Sequence, residues 1–218
     1  MKLLKNLLMW GMLGGLLAMG CTSMRESPLK PVDGVCSIGA GCCLGVTGLH
    51  SSLGGIDKTR FVCGMTEDAF VFRFEVQDEH VYAAKTFTSK RVVAGTDRVE
   101  LFFCATPFLE GDYYCAEIDP LGRVMDYKAK LYRKFDMSWA FRTMKTQAFA
   151  IPGGYAVSGS VSKQELRELG INPERFGLGV FRGDFNTDGK LVAWCSAAPM
   201  PDFRKPDFHK PDVFFWYH

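Results

Sequence analysis

The stretch DAFVFRFEVQD, residues 68–78, decides the fold class. Apolar side chains occupy every second position, at Phe70, Phe72, Phe74 and Val76, and the positions between them include charged residues. A strand points successive side chains to opposite faces, so this period of two predicts a β-strand with one buried face.

Similar short runs, separated by turn residues, lie on both sides of this stretch. They predict further strands at residues 79–88, 98–104, 113–118, 124–130, 176–185 and 191–197, and two more around the Pro-Gly-Gly turn at 152–154. The one well-marked helix spans 162–169, where Ser162 can cap the first turn, Glu165 follows three residues later and Gly170 ends the helix. About nine or ten strands with one short helix predict an all-β fold, an antiparallel β-sandwich.

The N-terminus has the features of an export signal. Lys2 and Lys5 precede an apolar run of about eleven residues, which is too short to span a bilayer, and small residues then lead to Cys21. We therefore predict a signal peptide at 1–20, a lipidated tether at 21–33 and one domain at 34–218. Acyl chains on Cys21 would anchor the protein at the cell envelope, on the outer membrane or the periplasmic face. Ordinary secretion, with Cys21 incidental, is the alternative.

Charge and cysteine content limit the function classes. The chain has 26 basic and 24 acidic residues, a net charge of +2, and no run of basic residues, which argues against nucleic-acid binding. Seven cysteines follow Cys21, and an exported chain meets an oxidising space, so disulfides are plausible. An odd number leaves at least one thiol unpaired within the chain, and a structural zinc site is disfavoured because the cysteines lack the paired spacing.

Five motifs in order carry a family resemblance. They are TDRVELFF at 96–103, YYCAEIDPLGRVMD at 113–126, YAVSGSVSKQELRELGI at 155–171, VFRGDF at 180–185, and the aromatic, proline-rich segment at 193–211. Over roughly residues 57–214 the chain resembles the carbohydrate-binding module family 9-like domains, which have a DOMON-type β-sandwich. The resemblance implies a non-catalytic module that binds a sugar between aromatic rings and polar side chains.

Five candidate sugar contacts follow from this resemblance and from the chemistry of sugars. A sugar ring presents an apolar face to an aromatic ring, and its hydroxyls need fixed donors and acceptors. The candidates are Arg182, Trp194, Glu100, Tyr114 and His209. A solvated arginine, a core tryptophan and a water-facing glutamate are the structural alternatives. Tyr113 and Tyr114 alternate, so one of the two is expected in the core and the other exposed.

The C-terminal segment, residues 201–218, repeats Pro-Asp-Phe and carries three prolines within eleven residues. Prolines exclude a helix or a central strand but pre-set an extended backbone, which lowers the entropy lost on docking. We therefore predict a structural strap that buries phenylalanine rings against the sheet. His209 could hydrogen-bond near the site or contact the ligand.

Some relatives carry structural calcium, whereas no other cofactor is expected. Glu117, Asp119 and Asp126 supply oxygen ligands at strand ends, but they lack the spacing of a dedicated calcium loop. Asn186 and Asp188 also offer oxygens, yet Asp-Gly between two strands is a strong hairpin-turn signal.

The leading interpretation is an anchored module that holds glycans for partner glycan-degrading enzymes. A glycoside hydrolase is an alternative, which would need two carboxylates flanking the scissile bond. A haem-binding DOMON-type cytochrome domain would need axial histidine and methionine ligands. A structural lipoprotein without a working sugar site is the third alternative.

Overall fold

The computed structural model describes residues 30–31 and 43–218, with side chains from residue 44 onward. The predicted signal peptide, the lipidation site Cys21 and most of the predicted tether lie outside the described residues. Two residues of the predicted tether, Lys30–Pro31, form a short strand (β1) that pairs with a strand of the domain.

The described residues form thirteen strands, one α-helix and two 3-10 turns. After β1 the strands are β2 Cys43–Ser51, β3 Ile56–Met65, β4 Ala69–Gln77, β5 Arg98–Cys104, β6 Tyr113–Ile118, β7 Val124–Lys130, β8 Lys134–Asp136, β9 Lys145–Ile151, β10 Gly154–Ser162, β11 Phe176–Phe185, β12 Leu191–Ser196 and β13 Phe215–Tyr217. The helix α1 is Lys163–Glu168, and the 3-10 turns are Lys90–Gly95 and Pro211–Val213.

The pairs are antiparallel and follow the order β8-β7-β6-β5-β11-β12-β2-β3-β4-β10-β9, with β1 on β2 and β13 on β11. The sheet folds back on itself between β12 and β2, which are paired at only two residue positions. Two layers therefore face one another, one centred on β5 and β11 and the other on β3 and β4. This confirms the predicted all-β sandwich.

The main core lies between these two layers. The ring of Phe70 on β4 packs edge-on against Phe103 on β5 at 5.4 Å and Phe176 on β11 at 5.7 Å between centroids. Phe72 and Phe74 are also buried, which confirms the face predicted from the alternation. Burial of these rings, each worth about 1.5–3 kcal/mol, is the main stabilising contribution to the sandwich.

The helix prediction is confirmed, and one strand prediction is wrong. Ser162 Oγ accepts a hydrogen bond from Glu165 N over 3.1 Å and caps α1. Residues 79–88 form no strand, because β4 is already paired on both edges, by β3 and β10. The segment instead crosses towards the other layer, where Tyr82 N donates to the Asp97 carboxylate over 2.6 Å.

Three of the cysteines, Cys104, Cys115 and Cys195, are buried free thiols. Burial raises the pKa of Cys195 to about 12, which keeps it protonated and unreactive. These residues behave as small apolar core residues. Within residues 30–31 and 43–218, no helix is long and apolar enough to cross a membrane.

Candidate functional site

The outer face of the β7-β6-β5-β11 layer, which points away from the sandwich core, is aromatic. Along β5, Val99, Leu101 and Phe103 join the main core, whereas Phe102 belongs to a second apolar cluster on the opposite face. An apolar sheet face of this kind is normally shielded from solvent by another segment of the protein. Residues 199–214, which we call the strap, supply it.

The strap is held to the sheet by stacking and by polar contacts. Phe208 stacks on Phe181 of β11 at 4.2 Å between centroids and 10° between planes. The Tyr113 hydroxyl and His209 Nδ1 lie 3.0 Å apart, within hydrogen-bond distance. Asp207 accepts from Arg133 Nη2 over 3.0 Å. The sequence prediction of a strap that buries phenylalanine rings is therefore confirmed for Phe208 and Phe214, whereas Phe203 is 51% exposed.

A cavity of about 180 Å³ remains where the strap meets the start of β5. It is lined by Arg98, Glu100, Glu117, Arg133, Trp194, Pro206, Phe208 and His209. Pockets for drug-sized ligands usually measure about 300–1,000 Å³, so this cavity suits a ligand of about one small ring.

Arg98 organises the cavity floor. Its Nε donates to Glu100 Oε1 over 2.9 Å and lies 2.6 Å from Glu117 Oε2, while its Nη1 donates to the carbonyl oxygen of Ala94 over 2.9 Å. The guanidinium carbon lies 4.9 Å from the centroid of the half-buried Trp194 ring, a cation–π distance. The arrangement places charged donors and acceptors beside an aromatic ring.

The two glutamates are paired across β5 and β6 and share that one guanidinium. Burial, with the neighbouring Glu117 carboxylate, raises the pKa of Glu100 from 4.5 to about 8, although Arg98 opposes the shift. Burial likewise raises the pKa of Glu117, although Arg98 and the Tyr127 hydroxyl oppose this shift. At neutral pH, Glu100 therefore keeps its proton and can donate a hydrogen bond.

His209 is neutral in this setting. Burial, together with the nearby Arg133, lowers the pKa of His209 from 6.5 to about 4. Its ring stacks on Phe102 at 5.2 Å between centroids. The imidazole therefore acts as a neutral hydrogen-bonding and packing group at neutral pH.

Of the five residues predicted from the sequence, the structure brings together Glu100, Trp194 and His209 along the cavity. It separates Tyr114, whose ring packs on Trp139 at 4.9 Å and whose hydroxyl donates to the carbonyl oxygen of Leu169 over 3.4 Å. Tyr114 lies on the core face of β6, and both tyrosines of the pair are buried, so the expectation that one is exposed is wrong.

Arg182 is also separated from Trp194. In the register of β11 and β12, Arg182 is paired with Cys195 and Gly183 with Trp194, and neighbouring positions point to opposite faces. Arg182 is 2% exposed between the layers and binds Asp57, Asp78 and Asp184. The expectation that Arg182 and Trp194 form one site is therefore corrected.

The sequence analysis missed Arg98, Glu117, Arg133 and Phe208 as cavity residues. A signal for Arg98 existed, because Arg98 and Glu100 stand two positions apart in an otherwise apolar strand and so share a face. Glu117 could have followed from strand pairing with Glu100. Arg133 comes from the turn between β7 and β8, and no sequence pattern links that turn to the strap.

The residues considered as possible calcium ligands hydrogen-bond to groups of the protein. Asp119 accepts from the backbone and guanidinium of Arg123 over 2.9 and 2.6 Å, whereas Asp126 accepts from Lys90 Nζ over 3.1 Å. Asn186 Oδ1 accepts from Lys190 N over 3.0 Å within its hairpin turn.

A different trio of carboxylates does come together. Oxygens of Asp78, Asp97 and Asp184 lie within 4.8 Å of one another. The Arg182 guanidinium already occupies two of these carboxylates. Calcium binding remains a prediction.

Comparison with known proteins gives the fold. No protein-family model matches the chain, and no curated protein does. Two similar solved structures are a carbohydrate binding module family 9 from Caldicellulosiruptor kristjanssonii, in complex with glucose and with cellotriose. They have TM-scores of 0.54, identities of 14% and 15%, and coverage of 79% and 78% of this chain and 81% and 78% of theirs.

A third structure, from Bacteroides uniformis, is described as that of a candidate carbohydrate-binding protein. It has a TM-score of 0.56 at 14% identity, and the match covers 74% of this chain and 78% of the chain in that structure. At these identities the likeness shows a shared fold. The chain therefore has the β-sandwich fold of carbohydrate binding module family 9.

Proposed function

We propose that this protein is a non-catalytic carbohydrate-binding module and that its site is the cavity around Arg98 and Trp194. The observation that carries the proposal is the cavity itself, which combines a half-buried tryptophan with a buried guanidinium and two carboxyl groups. Sugars need this combination of an aromatic surface and fixed polar partners. The fold neighbours solved with glucose and cellotriose support the same ligand class.

The test is isothermal titration of the purified chain with glucose and with cellotriose. We expect saturable binding, with Trp194→Phe weakened and Tyr114→Phe unchanged. Tyr114 is the matched control, because its ring lies on the core face of the sheet. Absence of binding to both sugars and to a broader glycan array would overturn the proposal.

The paired glutamates raise the question of a glycoside hydrolase. Such enzymes place two carboxyl groups on either side of the scissile bond, about 5–9.5 Å apart according to mechanism. Here Glu100 and Glu117 are neighbours across one strand pair and both contact the same Arg98 Nε, so they approach a ligand from one side. This geometry favours binding over hydrolysis. Turnover of a chromogenic glycoside would contradict that conclusion.

The cellular role rests on the N-terminal sequence. We propose that Cys21 is acylated and that the anchored domain displays the cavity at the cell envelope, where it retains glycans for partner degrading enzymes. A short apolar run followed by small residues and a cysteine supports the anchor. Mass spectrometry of the mature N-terminus tests it, and a mature chain that does not begin with acylated Cys21 would refute it.

A further inference from the structure

The cavity has two carboxyl groups for one guanidinium group that is not paired elsewhere. Two guanidinium groups line it, those of Arg98 and Arg133, but Arg133 is already paired with Asp207 in the strap. Arg98 alone therefore faces Glu100 and Glu117. If both glutamates are ionised, the group of three carries one uncompensated negative charge, which is costly because all three side chains are buried.

Hydrogen bonding is also incomplete at Glu117. Arg Nε carries a single hydrogen, which Arg98 donates to Glu100. Glu117 Oε1 accepts from the Tyr127 hydroxyl over 2.8 Å, whereas the buried Glu117 Oε2 lies 2.6 Å from that same Arg98 Nε and has to share its single hydrogen with Glu100. Glu117 is 5% exposed and lines the cavity, so two carboxyl groups beside the cavity compete for one donated hydrogen.

We propose that the preferred ligand of this cavity is an amino sugar with a free ammonium group, bound with that ammonium against the carboxyl groups of Glu117 and Glu100 on the cavity side. This inference rests on the proposed function and narrows its ligand class. An ammonium supplies both missing elements, a further donor for the two carboxyl groups and the positive charge that balances the second carboxylate. A neutral hydroxyl supplies only the donor.

The other groups around the glutamates are compatible with a cationic ligand. Trp194 already holds the Arg98 guanidinium over its ring, and aromatic faces attract cations. Arg133 is neutralised by Asp207, Tyr127 donates its hydroxyl to Glu117, and Cys115 and His209 are uncharged at neutral pH. The raised pKa of Glu100, about 8, fits the absence of this counter-charge. Binding of an ammonium therefore favours release of the Glu100 proton.

The experiment compares three probes by isothermal titration of the full chain at pH 6.5, namely glucosamine, glucose and N-acetylglucosamine. The first carries an ammonium, and the other two are neutral at the same ring position. We expect glucosamine to bind at least about tenfold more tightly than either, which is the scale of one charge-assisted hydrogen bond. Titration in buffers of different ionisation enthalpy should show proton release with glucosamine alone.

Two variants test whether Glu117 and Glu100 cause the preference for glucosamine. Glu117→Gln removes a negative charge, and Glu100→Gln removes the carboxyl group that ionises when the ammonium binds, both at nearly constant shape. The preference for glucosamine over glucose should therefore fall to about twofold or less. Glu75→Gln is the matched control, because Glu75 is also paired with an arginine, Arg73 at 2.8 Å, but lies in the other layer. The Glu75→Gln variant should keep the wild-type preference for glucosamine over glucose. Melting temperatures confirm folding, and either glutamine variant alone suffices for the comparison.

The outcomes separate this inference from the proposed function. Equal binding of glucose and glucosamine, or a preference that persists in a folded glutamine variant, overturns the amino-sugar inference and leaves sugar binding in place. Failure of all three probes, and of a glycan array, overturns both. A glucosamine preference lost in Glu117→Gln and kept in Glu75→Gln supports the inference.

Discussion

Two buried arginines, Arg98 and Arg182, lie on adjacent strands and carry similar ion pairs, yet they have opposite surroundings. In the register of β5 and β11, Arg182 is paired with Val99 and Arg98 with Gly183, so the two side chains point to opposite faces of one layer. Arg182 points between the layers, where aspartates surround it. Arg98 points outward beneath the strap, where it meets two glutamates, a tryptophan ring and a cavity.

The comparison shows that an ion-paired arginine does not by itself identify a binding site. Each guanidinium is less than about 10% exposed and contacts at least two carboxylates. What distinguishes Arg98 is open volume next to an aromatic ring, whereas Arg182 joins loops and strands of both layers. We therefore expect loss of Arg182 to affect stability and loss of Arg98 to affect ligand binding.

The largest expected effect is that of Arg182→Met. The substitution leaves Asp57, Asp78 and Asp184 without their shared cation, and breaking a buried ion pair in this way typically costs about 3–5 kcal/mol. Urea denaturation measures the change in the free energy of unfolding. Arg182→Lys keeps the charge and should lose less. A loss below about 1 kcal/mol in Arg182→Met would show that this cluster is not the structural counterpart of Arg98.

Arg98→Met should weaken sugar binding by about tenfold or more. A hydrogen bond to a charged group contributes about 1.5–3 kcal/mol, and removal of the guanidinium also takes away the group that positions Glu100 and Glu117. Titration with the neutral sugar glucose measures the affinity, and a thermal melt confirms that the variant is folded. Unchanged affinity in a folded variant would place the sugar elsewhere and remove the distinction between the two arginines.

The smallest effect is a pH dependence that differs between the two faces. The pKa of Glu100 is raised to about 8 and that of Asp97, in the Arg182 cluster, to about 7, in both cases chiefly by burial. Above the unfolded-state pKa, the folded state holds a proton that the unfolded state has lost. Stability therefore falls as pH rises, until each folded pKa is passed, by at most about 1.4 kcal/mol per pH unit per group.

Between pH 7 and 8, Glu100 and its partner Glu117 contribute to that slope, because the pKa of Asp97 is lower, at about 7, and the His209 contribution lies between its folded pKa of about 4 and its ordinary value of 6.5. Glu100→Gln should therefore reduce the pH dependence of the unfolding free energy over this interval, whereas Asp97→Asn should reduce that dependence below about pH 7. Denaturation curves at half-unit steps of pH give the slopes. An unaltered slope in Glu100→Gln would contradict the assignment of the retained proton to Glu100.

Local patterns predicted the sandwich well but only part of the site. Alternation in β4, the capped helix α1 and the proline-rich strap could be read because each depends on residues close together in the sequence. Residues 79–88 were assigned wrongly to a strand, because whether a segment joins a ladder depends on whether a free sheet edge is available to it. Tyr114 was assigned to the site because alternation shows that two tyrosines face opposite ways but not which of them faces the core.

The sequence by itself determined which residues share a face, because side-chain direction in a strand has a fixed period of two. In β5 this period places Glu100 and Val99 on opposite faces, and the prolines and aromatic residues of the strap predicted that it would bury aromatic rings. Only the tertiary structure decided which face became the interior, and with it the roles of the two arginines. That choice depends on how the layers fold together at β12 and β2 and on where residues 199–214 cross the sheet. Both are contacts between residues far apart in the chain, and no local pattern encodes them.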